Sequence, residues 1–231
     1  MSRRPEPASW PVAAALLLLT VVPVTAGTLR LVQLAGGPDV MPADSRFAGF
    51  PGALIVHVVG SAVFAVLGVA QLLPRFRRRH LTWHRRAGRV LAVAGLLVAG
   101  SALWLTLLYP QKPGTGVTLF VLRLVFASAM LTSLVLGLTA IRRGDVVRHR
   151  TWMIRAYAIA VAAGTQVFTE STATALLGTG VVRSDLAKGA GWVINLVVAE
   201  WAIRRGALPV GARGPGRRTS ARTRAPRGAA A

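Results

Sequence analysis

No charged side chain occurs between Arg46 and Arg75. About 20 mostly apolar residues suffice for a helix to cross the roughly 30 Å hydrocarbon layer of a bilayer. A charge-free stretch of this length therefore reads as membrane-spanning. Comparable runs recur at about 10–29, 52–74, 90–109, 116–141, 152–175 and 189–203. The last is the weakest, being short and containing Glu200. The expectation is an all-α protein: a six-helix transmembrane bundle over residues 1–203. The basic segment 204–231 holds no acidic residue, and such a segment cannot bury a core, so it is expected to be disordered. The first run carries Arg3 and Arg4 ahead of it and a Val24-Thr25-Ala26 site, as a signal peptide would. It nevertheless exceeds the 7–15 residues of a signal-peptide core, so a retained span is expected.

Composition agrees. Hydrophobic types make up 53% and charged types 15%, with a net charge of +21; soluble domains carry about 25% charged residues. The basic residues are unevenly placed. Of the 28, 22 precede the first run, lie between residues 75 and 89 or 142 and 155, or follow the sixth run; 5 lie on the opposite side. Basic loops stay cytoplasmic, so both termini are expected in the cytoplasm and the location is a bacterial plasma (inner) membrane. The expected partners are the bilayer itself and anionic lipids at the basic loops and tail, with nucleic acid unlikely. The chain has no cysteine. That excludes disulfides, thiolate metal sites, thiol nucleophiles and covalent c-type haem. Phosphate-loop, zinc-protease and serine-hydrolase motifs are absent, and a non-enzymatic role is the leading expectation, with catalysis left open.

Polar groups inside spans turn toward the bundle or a cavity. His57, Ser61, Phe64, Gly68 and Gln71 share one helix face. Two stripes of small residues, Ala92-Gly95-Ala99-Ala102 and Ala156-Ala160-Gly164, suit close helix approach. Depth matching places His57, Arg123 and Glu170 at one level in the outer half. It predicts an Arg123–Glu170 ion pair joined by His57, with Gln166 lining the same pocket. A second, inner level would bring Arg155 to Glu200, flanked by His84 and His149. Three chemistries fit these residues. One is a pair of polar pockets that bind a small or lipidic ligand or relay protons. Another is a single haem b held by His84 and His149. The third, weaker, is a zinc site on His80 and His84, four apart. A purely structural or assembly role needs no ligand at all.

One ordered set of residues is more specific. His57, Gln71, Trp83-His84-Arg85-Arg86-Ala87-Gly88-Arg89 and Arg148-His149-Arg150-Thr151-Trp152-Met153-Ile154-Arg155 occur in that order. The set resembles domain-of-unknown-function family 2306, a group of predicted bacterial membrane proteins, over about residues 53–200. The resemblance implies a multi-span membrane protein and supplies no reaction. It carries His57, Gln71, His84, Arg85, Gly88, His149, Trp152, Met153 and Arg155 as matching positions. An Arg frequent late in the family's fifth span is replaced here by Thr165-Gln166-Val167, and Arg123 is expected to substitute for it. Gly88 is expected to permit a close helix approach or a tight start to the third span, and Arg85 and Arg155 to grip carboxylate or phosphate.

Overall fold

The computed structural model describes residues 10–206; most of the basic tail and Arg3 and Arg4 lie outside the described residues. Every regular element among them is helical: α1 (Trp10–Leu34), α2 (Gly52–Leu72), α3 (Pro74–Arg79), α4 (Leu81–Leu108), α5 (Val117–Arg142), α6 (Val146–Ala160), α7 (Ala162–Leu177) and α8 (Val181–Gly206). Five are long and apolar enough to cross a membrane: α1, α2, α4, α5 and α8. The expected fifth run is instead two shorter helices, α6 and α7, meeting at Val161. Loops 35–51, 109–116 and 178–180 gather at one end of the bundle, called upper here. The short α3 and the turn at 143–145 lie at the lower end.

Three spans are longer than sequence composition suggested. α1 runs on to Leu34, past the expected end at 29. α4 starts at Leu81, not near residue 90, because an Arg-rich segment is still a good helix former once its side chains reach water. α8 starts at Val181, not near 189, and ends at Gly206. Its first turns carry Arg183, Asp185 and Lys188, which lowered the apparent hydrophobicity there.

The core lies where α2, α4, α5 and α6 meet. Ala99, Leu134 and Ala156 are fully buried there. Tyr157 sits in the same place, its hydroxyl donating to the Ala65 carbonyl at 2.7 Å. Its ring packs on Phe64 at 6.0 Å, and a Cβ at Gly68 would strike it. Removing side chains at such crossings lets backbones close up, which drives helix association where lipid leaves little hydrophobic gain. Outward faces carry Val, Leu and Ile, such as Val59, Val93, Val125 and Val197.

The junction at Val161 is a tightened turn. Val161 N–H still reaches the Tyr157 carbonyl at 3.0 Å, but Gly164 N–H takes the Val161 carbonyl, three residues back, at 3.2 Å. Asn195 of α8 staples the break. Its amide donates to the Ala158 carbonyl at 3.0 Å, and its oxygen accepts from the Thr165 hydroxyl at 2.8 Å. Irregular backbone at this depth is tolerated only when protein groups satisfy it or it lines a cavity; here both hold.

Candidate functional site

A cavity of about 460 Å³ opens among α1, α2, α4, α5, the α6–α7 junction and α8. That volume is within the range of roughly 300–1,000 Å³ usual for small-molecule sites. Its floor is apolar, with Ala65, Met130 and Ile159. Its upper walls bring His57, Arg123, Gln166 and Lys188 together with Arg46 of the loop before α2. Trp192, stacked on Phe126 with centroids 4.7 Å apart, closes one side.

His57 faces the cavity from α2. Its Nδ1 lies 3.2 Å from the Ser101 hydroxyl and 3.3 Å from the Val98 carbonyl, both on α4. The ring is thus fixed by α4, not by Arg123 or Glu170. The expected Arg123–Glu170 ion pair is absent. Glu170 instead accepts from Lys188 Nζ at 2.5 Å and from the Ser184 hydroxyl at 2.6 Å. The cause is the early start of α8: a three-residue connection makes α7 and α8 a tight antiparallel hairpin, and Ser184 and Lys188, one turn apart, run beside Glu170. Reading 178–188 as a loop hid this pairing.

Arg123 consequently has no hydrogen bond or ion pair among the described residues; the Asp185 carboxylate acts on it only from a distance. Gln166 lines the cavity with its amide nitrogen buried and unpartnered. Arg46 is held by Asp44 through two contacts, 2.8 and 2.5 Å. The guanidinium beside Asp44 holds that carboxyl below its usual range.

Asp185 was not singled out from sequence. It is fully buried, and its Oδ2 accepts the amides of Gly116 at 2.9 Å and Leu119 at 3.1 Å. Those donors belong to the first turn of α5, which has no side-chain cap of its own. A cap supplied from 66 residues or more away leaves no local sequence signal.

The lower cluster is a clasp between helices. Arg155 meets Glu200 through two contacts, 2.5 and 3.1 Å, and lies 4.6 Å over the Trp152 ring. His149 Nδ1 is 2.8 Å from the Gly137 carbonyl of α5, and a Cβ on Gly137 would strike Met153. Gln71 reaches the His84 carbonyl at 3.4 Å, a long contact. His84 keeps a buried, unpartnered Nδ1. Arg85 is exposed, so no carboxylate grip forms there. Gly88 is no close-approach point: a Cβ there would meet nothing within 4 Å. The His80 ring packs tilted against Phe76, centroids 4.8 Å apart, and among the described residues no three His, Asp or Glu side chains converge as metal ligands.

The sequence profile of domain-of-unknown-function family 2306, described as predicted membrane proteins, matches residues 54–203. The chain belongs to this family. It is an integral membrane protein with several apolar helices. No curated protein and no solved structure matches it. In this family 2306 chain the residues that carried the resemblance divide by place. Gln71, His149, Trp152, Met153 and Arg155 join helices at the lower end, whereas His57 faces the cavity.

Proposed function

We propose that the protein is a non-enzymatic membrane module whose upper cavity binds a small or lipidic ligand. The carrying observation is the cavity itself. Polar side chains from several elements converge on it over an apolar floor, and one of them, Gln166, presents a buried donor with no partner. A buried unpaired donor costs about 1–3 kcal/mol, a cost that a bound acceptor removes. The lower cluster, by contrast, spends most of its polar atoms on helix-to-helix contacts, and we read it as structural. The lower end is assigned to the cytoplasm and the chain to a plasma membrane with six spans, α6 and α7 together forming the fifth. The support is the charge bias of 22 basic residues against 5.

The test is cavity filling. Ala62 lines the cavity, and Ala62→Phe places a ring inside it. Wild-type protein in nanodiscs is expected to melt higher when given an extract of its host's lipids and small molecules, and Ala62→Phe is expected to lose that response. Identical responses in the two proteins contradict the reading.

Haem b on His84 and His149 is a second reading, favoured by one observation: His84 Nδ1 is buried and unspent. A Soret band that disappears in His84→Ala supports it; a folded, colourless preparation removes it.

A further inference from the structure

The proposed cavity has a charge pattern that says more than its size. Three cationic side chains line it, Arg46, Arg123 and Lys188, and no carboxylate does. The carboxylates nearby are turned away and engaged. Asp44 is spent on Arg46, Glu170 on Lys188 and Ser184, and Asp185 on the first-turn amides of α5. Among the side chains that line the cavity, Arg123 and the Gln166 amide nitrogen are without a partner, and both are hydrogen-bond donors; Asp185 Oδ1 is a buried acceptor without a partner, but Asp185 does not line the cavity.

His57, Arg123 and Lys188 occupy one storey, and Gln166 lies between it and the floor. At 1.5 Å rise per residue, His57, Arg123 and Lys188 lie about 8–11 Å below the upper ends of their helices, and Gln166 about 16 Å. Ala65 and Met130, on the apolar floor, lie about 20 Å below. A guanidinium matches an oxyanion in a forked geometry, and only an apolar group gains by filling the floor. A bare anion would leave the floor empty, and a neutral oil would leave Arg123 unpaired.

Resting on the cavity as a ligand site, we infer that its ligand is a single-tailed amphiphile with an oxyanion head, a carboxylate or a phosphate monoester. The head lies against Arg123 and Gln166, and the tail points to Met130. Arg123 supplies the charge and Gln166 a directed donor.

The experiment uses the full chain in detergent-free nanodiscs of zwitterionic phosphatidylcholine, with radiolabelled dodecanoate as probe. Competitors are dodecyl phosphate, 1-dodecanol and inorganic phosphate. Dodecanoate is expected to bind saturably, dodecyl phosphate to displace it, and 1-dodecanol to need at least a tenfold higher concentration. Inorganic phosphate is expected not to compete. Arg123→Gln should weaken dodecanoate at least tenfold while leaving 1-dodecanol affinity, read by its own labelled form, unchanged. Gln166→Leu should weaken dodecanoate too, and serves if Arg123→Gln does not fold. Equal competition by 1-dodecanol, or folded variants that bind dodecanoate as wild type does, overturns the oxyanion head and leaves the cavity as a ligand site. Equal competition by inorganic phosphate overturns the tail. If folded wild-type protein binds neither dodecanoate nor 1-dodecanol, this inference is overturned; if Ala62→Phe also leaves the melting response to extract unchanged, the ligand site itself falls with it.

Discussion

At the scale of single residues, Asp185 is the most consequential side chain the sequence did not advertise. One carboxylate oxygen accepts two amide hydrogens at the start of α5, and the other is buried without a partner. Each amide left unsatisfied in the interior costs about 1–3 kcal/mol. Asp185→Ala is therefore expected to destabilise the folded protein by about 2–4 kcal/mol, with Asp185→Asn, which keeps one acceptor oxygen, recovering a large part. Thermal melts followed by helical circular dichroism check this. A wild-type melting temperature in Asp185→Ala would show that α5 needs no cap from α8. The lower ion pair teaches the opposite lesson about legibility. Arg155 and Glu200 could be matched by depth and charge because each stands three residues inside the lower end of its hydrophobic run. Arg123 and Glu170 could not, because the competing partner, Lys188, hid in a segment whose charges made it look like a loop.

Among the elements, the contact of α1 with α7 shows how backbone chemistry sets packing. Pro23 lies inside α1 and has no amide hydrogen to give to the Leu19 carbonyl. A Cβ at Gly164 of α7 would collide with that same carbonyl oxygen. The absent side chain lets α7 sit directly on the freed acceptor, and both helices line the cavity there. Gly164→Ala is expected to destabilise by about 1–3 kcal/mol, the usual cost of overpacking. Gly88→Ala, in a helix with open space around it, is expected to be neutral or to stabilise by up to about 1 kcal/mol through helix propensity. Melting of the two variants in parallel checks both signs; equal shifts would contradict the packing assigned to Gly164. Helix existence was readable from hydrophobic runs, since the bilayer imposes their length. Helix ends were not: α4 and α8 continue into charged turns that the hydrophobic runs do not include. The division of the fifth run at Val161 was also hidden, because the junction keeps its apolar sequence and is held by Asn195 from another helix.

On the scale of the whole molecule, two ends with different tasks emerge. The lower end is a clasp of Arg155, Glu200, His149 and Gly137 that ties α5, α6 and α8 together. The upper end is loosely filled and presents donors to an apolar hollow. This hollow is proposed to be an accessible site within the membrane protein, and the absence of cysteine makes a direct measurement possible. Ser61 lines the hollow, whereas Val66, one turn further along α2, is on its outward face. Single-cysteine variants at the two positions, in nanodiscs, are treated with a small methanethiosulfonate reagent with and without dodecanoate. Ser61→Cys is expected to react and to be protected by dodecanoate, and Val66→Cys to react at least tenfold more slowly with no protection. Equal reactivity at the two positions, or a Ser61→Cys thiol that dodecanoate does not shield, would contradict the proposed site.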